Sequence, residues 1–233
     1  MSVPSSEPLS LGDAAYRQLR ADIVSCRFAP GQRLTERSLA ETTGFGVSPI
    51  RDALTRLSHE GLVRTLARKG YQVTPLTLKS VDDLFTLWRI VGPEAVRLGV
   101  QDATAEQRRQ IVAAFSTAVR ASDEADEQPM WRVEAAASGF ACLAAATDND
   151  YLIRIHERLQ NDITRVLALI TAEATWMPGL SIDAELVTCV EHRDGDAAAA
   201  CARDCIGDLH ARVLRILTRW PSVVTSEITP VHG

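Results

Sequence analysis

The sequence predicts a mainly α protein in two parts: an N-terminal winged helix-turn-helix, then an antiparallel all-α bundle of about six helices. Three observations carry this prediction. Apolar residues recur at helical spacing through most of the chain. Near the start, two short helical stretches flank a glycine-containing turn, and two short strand-like runs follow them. The charge is also divided: residues 10–78 hold ten Arg/Lys against six Asp/Glu, a net of +4, whereas residues 79–233 hold fifteen against twenty-three, a net of −8. With 46% apolar and 24% charged residues in 233, the composition is that of an ordinary globular chain, not a disordered, collagen-like or disulfide-scaffold one. No apolar run approaches the roughly 18–20 residues of a membrane span. The first nine residues, MSVPSSEPL, lack the basic start and apolar core of a signal peptide. The expected location is cytoplasmic, with no membrane partner.

Residues 12–27 place Ala15, Leu19, Ile23 and either Val24 or Cys26 on one stripe, and Pro30-Gly31 ends the pattern. A short helix opens around Thr35-Glu36 and stops at Gly44, with Thr35 as a cap and Glu36 suited to a first turn. After Gly44-Phe45-Gly46-Val47, Ser48 is a good N-cap for the next helix, and Pro49 sits where its missing N–H costs nothing. Ile50, Ala53, Leu54 and Leu57 form its apolar stripe, which Gly61 stops. Val63–Leu66 and Tyr71–Val73 read as two strands around the basic tip Ala67-Arg68-Lys69-Gly70. A small helical domain with a hairpin would show the same pattern.

The chemistry favours nucleic acid. A basic part joined to an acidic one suggests different partners for the two, although +4 over about 70 residues is ordinary scatter. The first-turn N–H groups of the second helix can meet a phosphate while Ser48 and Arg51 face the major groove. Arg51 could hold a guanine edge with two parallel hydrogen bonds. Arg33, Arg37 and Arg56 suit phosphates, which position a protein but carry little sequence information. Arg68 and Lys69 could enter the minor groove or follow the backbone.

The stretches FAPGQRLTERSLAETTG, SPIRDALTRLSHEGLV and RKGYQV, between Tyr16 and Val73, resemble the DNA-binding domain of GntR-family bacterial transcription regulators. Many fixed positions agree in order and spacing. The resemblance implies contacts to double-stranded operator DNA at Arg37, Ser48, Arg51 and the wing around Lys69 and Gly70. It departs at Val47, where the family usually carries a polar or basic residue.

Beyond a plausible hinge at Thr74–Thr77, six helical stretches follow. The first, Ser80–Val100, carries Val81, Leu84, Leu87, Trp88, Val91 and Ala95. The others run from Thr104 to about Ala121, Pro129 to Thr147, Asn149 to Ala174, Ser181 to Arg193, and Asp196 to Trp220, with a break at Trp176–Gly179. The expected domains are 10–75 and 80–222, with flexible tails at 1–9 and 223–233. VDDLFTLWRIVGPEAVRL, the turn TDNDYL and Gly195-Asp196-Ala197 resemble the FCD effector domain of the FadR subfamily. Six helices bring it closer to the VanR-like branch than to the seven-helix one.

Many such domains hold a divalent metal with an Asp and three His. Aligned on the TDND turn and on Gly195, those positions are Ala136, Phe140, Glu185 and Gly207, a set in which only Glu185 could ligate. The expectation is a metal-free, cofactor-free cavity, more apolar than usual, lined partly by Trp88, Phe140 and Glu185. Plain core packing would explain Trp88 and Phe140 equally well. Cys26, Cys142, Cys189, Cys201 and Cys205 lack the paired spacing of a zinc ribbon and suit a reducing compartment. Cys201 and Cys205, one turn apart, could share a metal with a histidine, but among small apolar residues they read as small buried side chains. His59, His156, His192 and His210 read as surface or packing residues.

The resemblance implies a homodimeric regulator, most often a repressor, that binds a palindromic operator and is released by a small-molecule effector, a metabolite. Two other functions compete. The helical domain could only dimerise, or it could be an enzyme with an accessory winged helix. The enzyme reading lacks any spaced motif such as HExxH or a phosphate-cradling glycine loop, so a non-enzyme is expected.

Overall fold

Ser10 starts the first helix, its hydroxyl oxygen accepting the Asp13 backbone N–H at 3.1 Å. This computed structural model describes residues 10–123, 130–173 and 182–219. The tails expected at 1–9 and 223–233 and the break at Trp176–Gly179 lie outside the described residues, as do the end of the last expected helix at Trp220 and the Pro129 start of another.

Helix α1 (Leu11–Val24) buries Ala15, Leu19 and Ile23, spaced by four and so on one face. Cys26 turns the chain out of the helix with φ 57. Strand β1 (Arg33–Leu34) follows, and then Thr35 caps α2 (Glu36–Thr43), its side-chain oxygen accepting the Ser38 N–H at 3.2 Å. Gly44, at φ 78, ends α2 in the left-handed conformation.

Helix α3 (Val47–His59) begins two residues before the expected start, and this corrects the expected cap. Gly46 is the N-cap: its backbone is already extended, and its carbonyl accepts the Ile50 N–H at 3.3 Å. Ser48 and Pro49 therefore lie inside the first turn, where a proline removes no bond because those N–H groups have no intrahelical acceptor. The predicted stripe Ile50, Ala53, Leu54 and Leu57 is wholly buried.

Strands β2 (Val63–Leu66) and β3 (Gly70–Val73) form the expected antiparallel hairpin, with Val63 opposite Val73 and Leu66 opposite Gly70. Strand β1 was not legible, because two residues are too short for alternation to show. It pairs with β3 to give the order β1-β3-β2. The pairing depends on Gly70, whose φ is +84 and where a Cβ would stand 2.6 Å from the Leu34 carbonyl oxygen. One core, running from Ala15 and Leu19 through Leu39, Ile50 and Leu54 to Val73, closes this unit.

A second compact unit begins at Thr77. Thr77 and Ser80 form a capping box that opens α4 (Leu78–Asp102). Five more helices follow: α5 (Ala105–Asp123), α6 (Met130–Ala146), α7 (Asp150–Glu173), α8 (Ala184–His192) and α9 (Gly195–Leu217). The bundle thus has the six expected helices among the described residues. Short polar side chains start α5, α7, α8 and α9. Asn149 Oδ1 accepts the Tyr151 and Leu152 N–H groups at 3.0 and 3.2 Å, and Asp194 caps α9 through the Ala197 N–H at 2.9 Å.

Helix α4 packs against α6, α7 and α9, while α5 packs against α6 and α8. Its buried stripe is Val81, Phe85, Trp88, Ala95 and Val96. Leu87, expected inside, is 45% exposed, because at 100° per residue it stands well off the Phe85–Trp88 line. Helix α6 approaches its neighbours very closely. A Cβ on Gly99 of α4 would lie 2.3 Å from the Leu143 carbonyl oxygen, and one on Gly139 would lie 2.3 Å from the Phe115 ring of α5. No helix among the described residues is long and apolar enough to cross a membrane.

His156 of α7 is buried beside Trp88, Ala95 and Leu159, and its Nε2 has no hydrogen-bond partner among the described residues. Burial pushes its pKa down to about 4 from 6.5. The fold therefore keeps the ring neutral, whereas the unfolded chain takes up a proton below about pH 6.5. The resulting stabilisation is complete above pH 6.5 and is lost as pH falls towards 4. At roughly 1.4 kcal/mol per pH unit, about 2 kcal/mol is lost between pH 7 and 4.5. Urea unfolding of His156→Leu at these two pH values should show a correspondingly smaller drop. An equal drop in both proteins would place the acid sensitivity elsewhere.

Candidate functional site

The first candidate surface is built on α2, its glycine turn and α3. Arg51 is exposed near the start of α3 and reaches back to α2. Its Nε donates to Glu36 Oε1 at 3.1 Å and its Nη2 to Glu36 Oε2 at 2.8 Å. These bonds hold the Glu36 carboxyl below the usual carboxylate range and raise the Arg51 guanidinium above its ordinary value. The planar fork thus already sits against a planar two-oxygen acceptor, the geometry that a guanine edge also offers. Ser48 is exposed one turn earlier on α3. Arg37 is exposed on α2, with its Nε donating to Glu41 at 3.0 Å.

Arg56 is used differently. Its Nη1 donates to Asp13 Oδ1 at 2.7 Å, and its guanidinium lies 3.9 Å from the centre of the Tyr16 ring, so it ties α3 to α1 while staying half exposed. Arg33 is exposed on β1, opposite Gln72. Arg68, at φ 62, and Lys69 are exposed at the hairpin tip. Gly70 contributes only backbone, and its place is set by the approach to Leu34. The sequence did not reveal Glu36 as the partner of Arg51; its only trace was an acidic residue in the first turn of α2.

The second candidate is a cavity of about 620 Å³ inside the helical unit. Trp88, Phe140 and Glu185, drawn from three different helices, all line it, as does Ala136. Trp88 and Phe140 meet edge to face with ring centres 6.0 Å apart, and Phe115 stands behind Phe140 at 5.1 Å. Gly207 does not line the cavity, and a side chain there would meet nothing within 4 Å. The cavity is also less apolar than expected. Asp183, Glu185, Asp204, Asp208 and Arg212 reach it alongside the aromatic wall.

The Asp204, Asp208 and Arg212 contribution was missed. Its signal was available, because residues 201, 204, 205, 208, 209 and 212 follow the i, i+3, i+4 progression of one face of α9. The cysteines on that face also line the cavity. Burial, aided by neighbouring acids, pushes both the Cys201 and the Cys205 thiol up to about 11, so at neutral pH they are protonated and poor nucleophiles. Among the described residues no three His, Cys, Asp or Glu side chains come together to hold a metal ion. His210 packs flat on Phe85 at 5.0 Å and stands 2.9 Å from Asp82 Oδ1, away from the cavity lining.

Comparison with known proteins agrees with this division of the chain. The gntR family model of bacterial regulatory proteins matches residues 11–73, and the FCD domain model matches residues 83–208. The uncharacterized HTH-type transcriptional regulator YdhC of Bacillus subtilis is 36% identical over 92 residues, 40% of this chain and 41% of that one. The HTH-type transcriptional repressor GlaR of Escherichia coli is 27% identical over 147 residues, 62% of this chain and 66% of that one. The chain thus spans less than two thirds of the length of these curated relatives. Escherichia coli McbR/YncC shares the fold, with a TM-score of 0.72 at 16% identity over 89% of this chain and 99% of that one. With one model matching the winged helix and another matching more than half of the chain behind it, this protein belongs to the GntR family of bacterial regulatory proteins and carries an FCD domain.

Proposed function

We propose that the protein is a sequence-specific DNA-binding transcription regulator that acts as a homodimer on a palindromic operator, in the manner of a metabolite-responsive repressor. The observation that carries this reading is Arg51, exposed near the start of α3 with its fork turned to a planar acceptor. Arg33, Arg37, Arg68 and Lys69 would meet phosphates, and Ser48 the groove edge. Arg56, already engaged with Asp13 and Tyr16, would add a phosphate contact only through its exposed half.

The six-helix unit fits the VanR-like branch of the FadR subfamily, with the cavity between its helices taking the effector. Of the four positions that commonly supply metal ligands, Glu185 alone carries a donor, so the residues present do not fit that metal and the cavity works without one. The effector would favour a dimer geometry whose two recognition helices no longer match the half-sites. Selection from random duplexes tests the reading. A palindrome should emerge, bound with steep salt dependence, as counter-ion release from several phosphate contacts requires. Enrichment of no sequence over bulk DNA would sink it.

A further inference from the structure

The described lining of the cavity divides by chemistry. Trp88, Phe140, Ile163 and Leu167 supply an aromatic and aliphatic wall and are buried. Asp183 and Glu185 at the start of α8, and Asp204 and Asp208 one turn apart on α9, are all exposed and so stand where the cavity meets solvent. Among the described lining residues, Arg212 is the only guanidinium set against these four carboxylates. Their field reaches inwards. Asp208 and Asp183 add to burial in raising the Cys205 thiol, and Glu185 and Asp183 do the same to Cys201.

We propose that the ligand of this cavity is an organic cation, an amine or ammonium group on an apolar, preferably aromatic, body; this rests on reading the cavity as the effector site. The cationic head lies against Asp204 and Asp208 and the body against Trp88 and Phe140. Asp204 and Asp208 matter most because they sit in mid-helix. Asp183 is spent on capping α8 through the Glu185 N–H, and the positive helix end offsets part of the charge there. An anionic ligand would meet four like charges against the one guanidinium of Arg212 among the described lining residues. A cation gains their attraction. The volume suits a small organic molecule, and a bare metal ion lacks three donors close enough together.

The test uses the full-length protein and two probes of nearly equal shape and opposite charge, 2-phenylethylammonium and 3-phenylpropionate, followed by calorimetry and thermal shift. The ammonium should bind about ten-fold or more tightly than the carboxylate. That preference should vanish in the double variant Asp204→Asn, Asp208→Asn, whose exposed positions leave the fold intact. Ala136→Trp, which fills the cavity, should abolish binding. If the carboxylate binds as well as the ammonium and Ala136→Trp removes both, the charge assignment is overturned and the effector cavity stands. If neither probe binds at millimolar concentration, or both bind Ala136→Trp unchanged, the charge assignment and the effector-site reading fall together.

Discussion

Arg51→Ala should weaken binding to the operator by about 5- to 150-fold for each half-site, the 1–3 kcal/mol that a bidentate arginine–guanine contact contributes. The loss should be confined to the cognate sequence, so affinity for random duplex changes much less and the two converge. Arg51→Lys should recover little, because an ammonium offers no planar fork. The fold should survive, since Arg51 is exposed and its pair with Glu36 lies at the surface, where such pairs contribute little stability. Arg37→Ala gives the contrasting profile: uniformly weaker binding to every sequence, and a salt slope reduced by about one for each phosphate contact removed. Fluorescence anisotropy with cognate and scrambled duplexes separates the two. Unchanged sequence preference in Arg51→Ala would mean that α3 is not the reading helix.

Leu87→Glu with Ile90→Glu should convert the proposed homodimer to a monomer. Leu87 and Ile90 on α4 are 45% and 68% exposed, and Ile155 and Tyr151 on the adjacent α7 are 40% and 76% exposed. These are the only large apolar side chains so exposed on the described part of this unit, and a dimer that covers them removes that surface from water. Burying an unpaired carboxylate there costs several kcal/mol, so the dissociation constant should rise about a hundred-fold or more. Light scattering should fall from twice 25.4 kDa to 25.4 kDa. The palindrome should then bind no better than a single half-site. An unaltered mass would put the interface on other helices.

How legible each of these features was depends on what kind of information it needed. The stripe Ile50, Ala53, Leu54 and Leu57 was readable because a helix with one wet face imposes its period on the sequence. Strand β1 has two residues, and its pairing is decided by the closeness of Gly70 to Leu34, a contact between positions far apart in the chain. Ser48 looked like a cap because Ser-Pro is a good helix start, but Gly46 had already taken the extended backbone that a cap requires. In α4 a run of adjacent apolar residues left the phase open by one position, so Leu87 was taken as inside and Phe85 overlooked. Phe140 and Glu185 were found through aligned positions. Asp204 and Asp208 were not, because periodicity tells which side of a helix faces inwards but not whether that interior is filled or hollow.

The two close approaches of α6 bear on how a bound molecule could be felt elsewhere in the protein. At Gly99 the backbones of α4 and α6 all but touch, and at Gly139 the α6 backbone rests on the Phe115 ring. Neither contact leaves room for α6 to slide or rotate without collision. Ala136, Ala137 and Phe140 therefore form an anvil, a wall that cannot yield when the cavity fills. The start of α9 is held in the same way, since a Cβ on Gly195 would stand 2.7 Å from the Arg97 carbonyl oxygen of α4. In mechanical terms the cavity is gripped by a rigid frame made of α4, α6 and the start of α9.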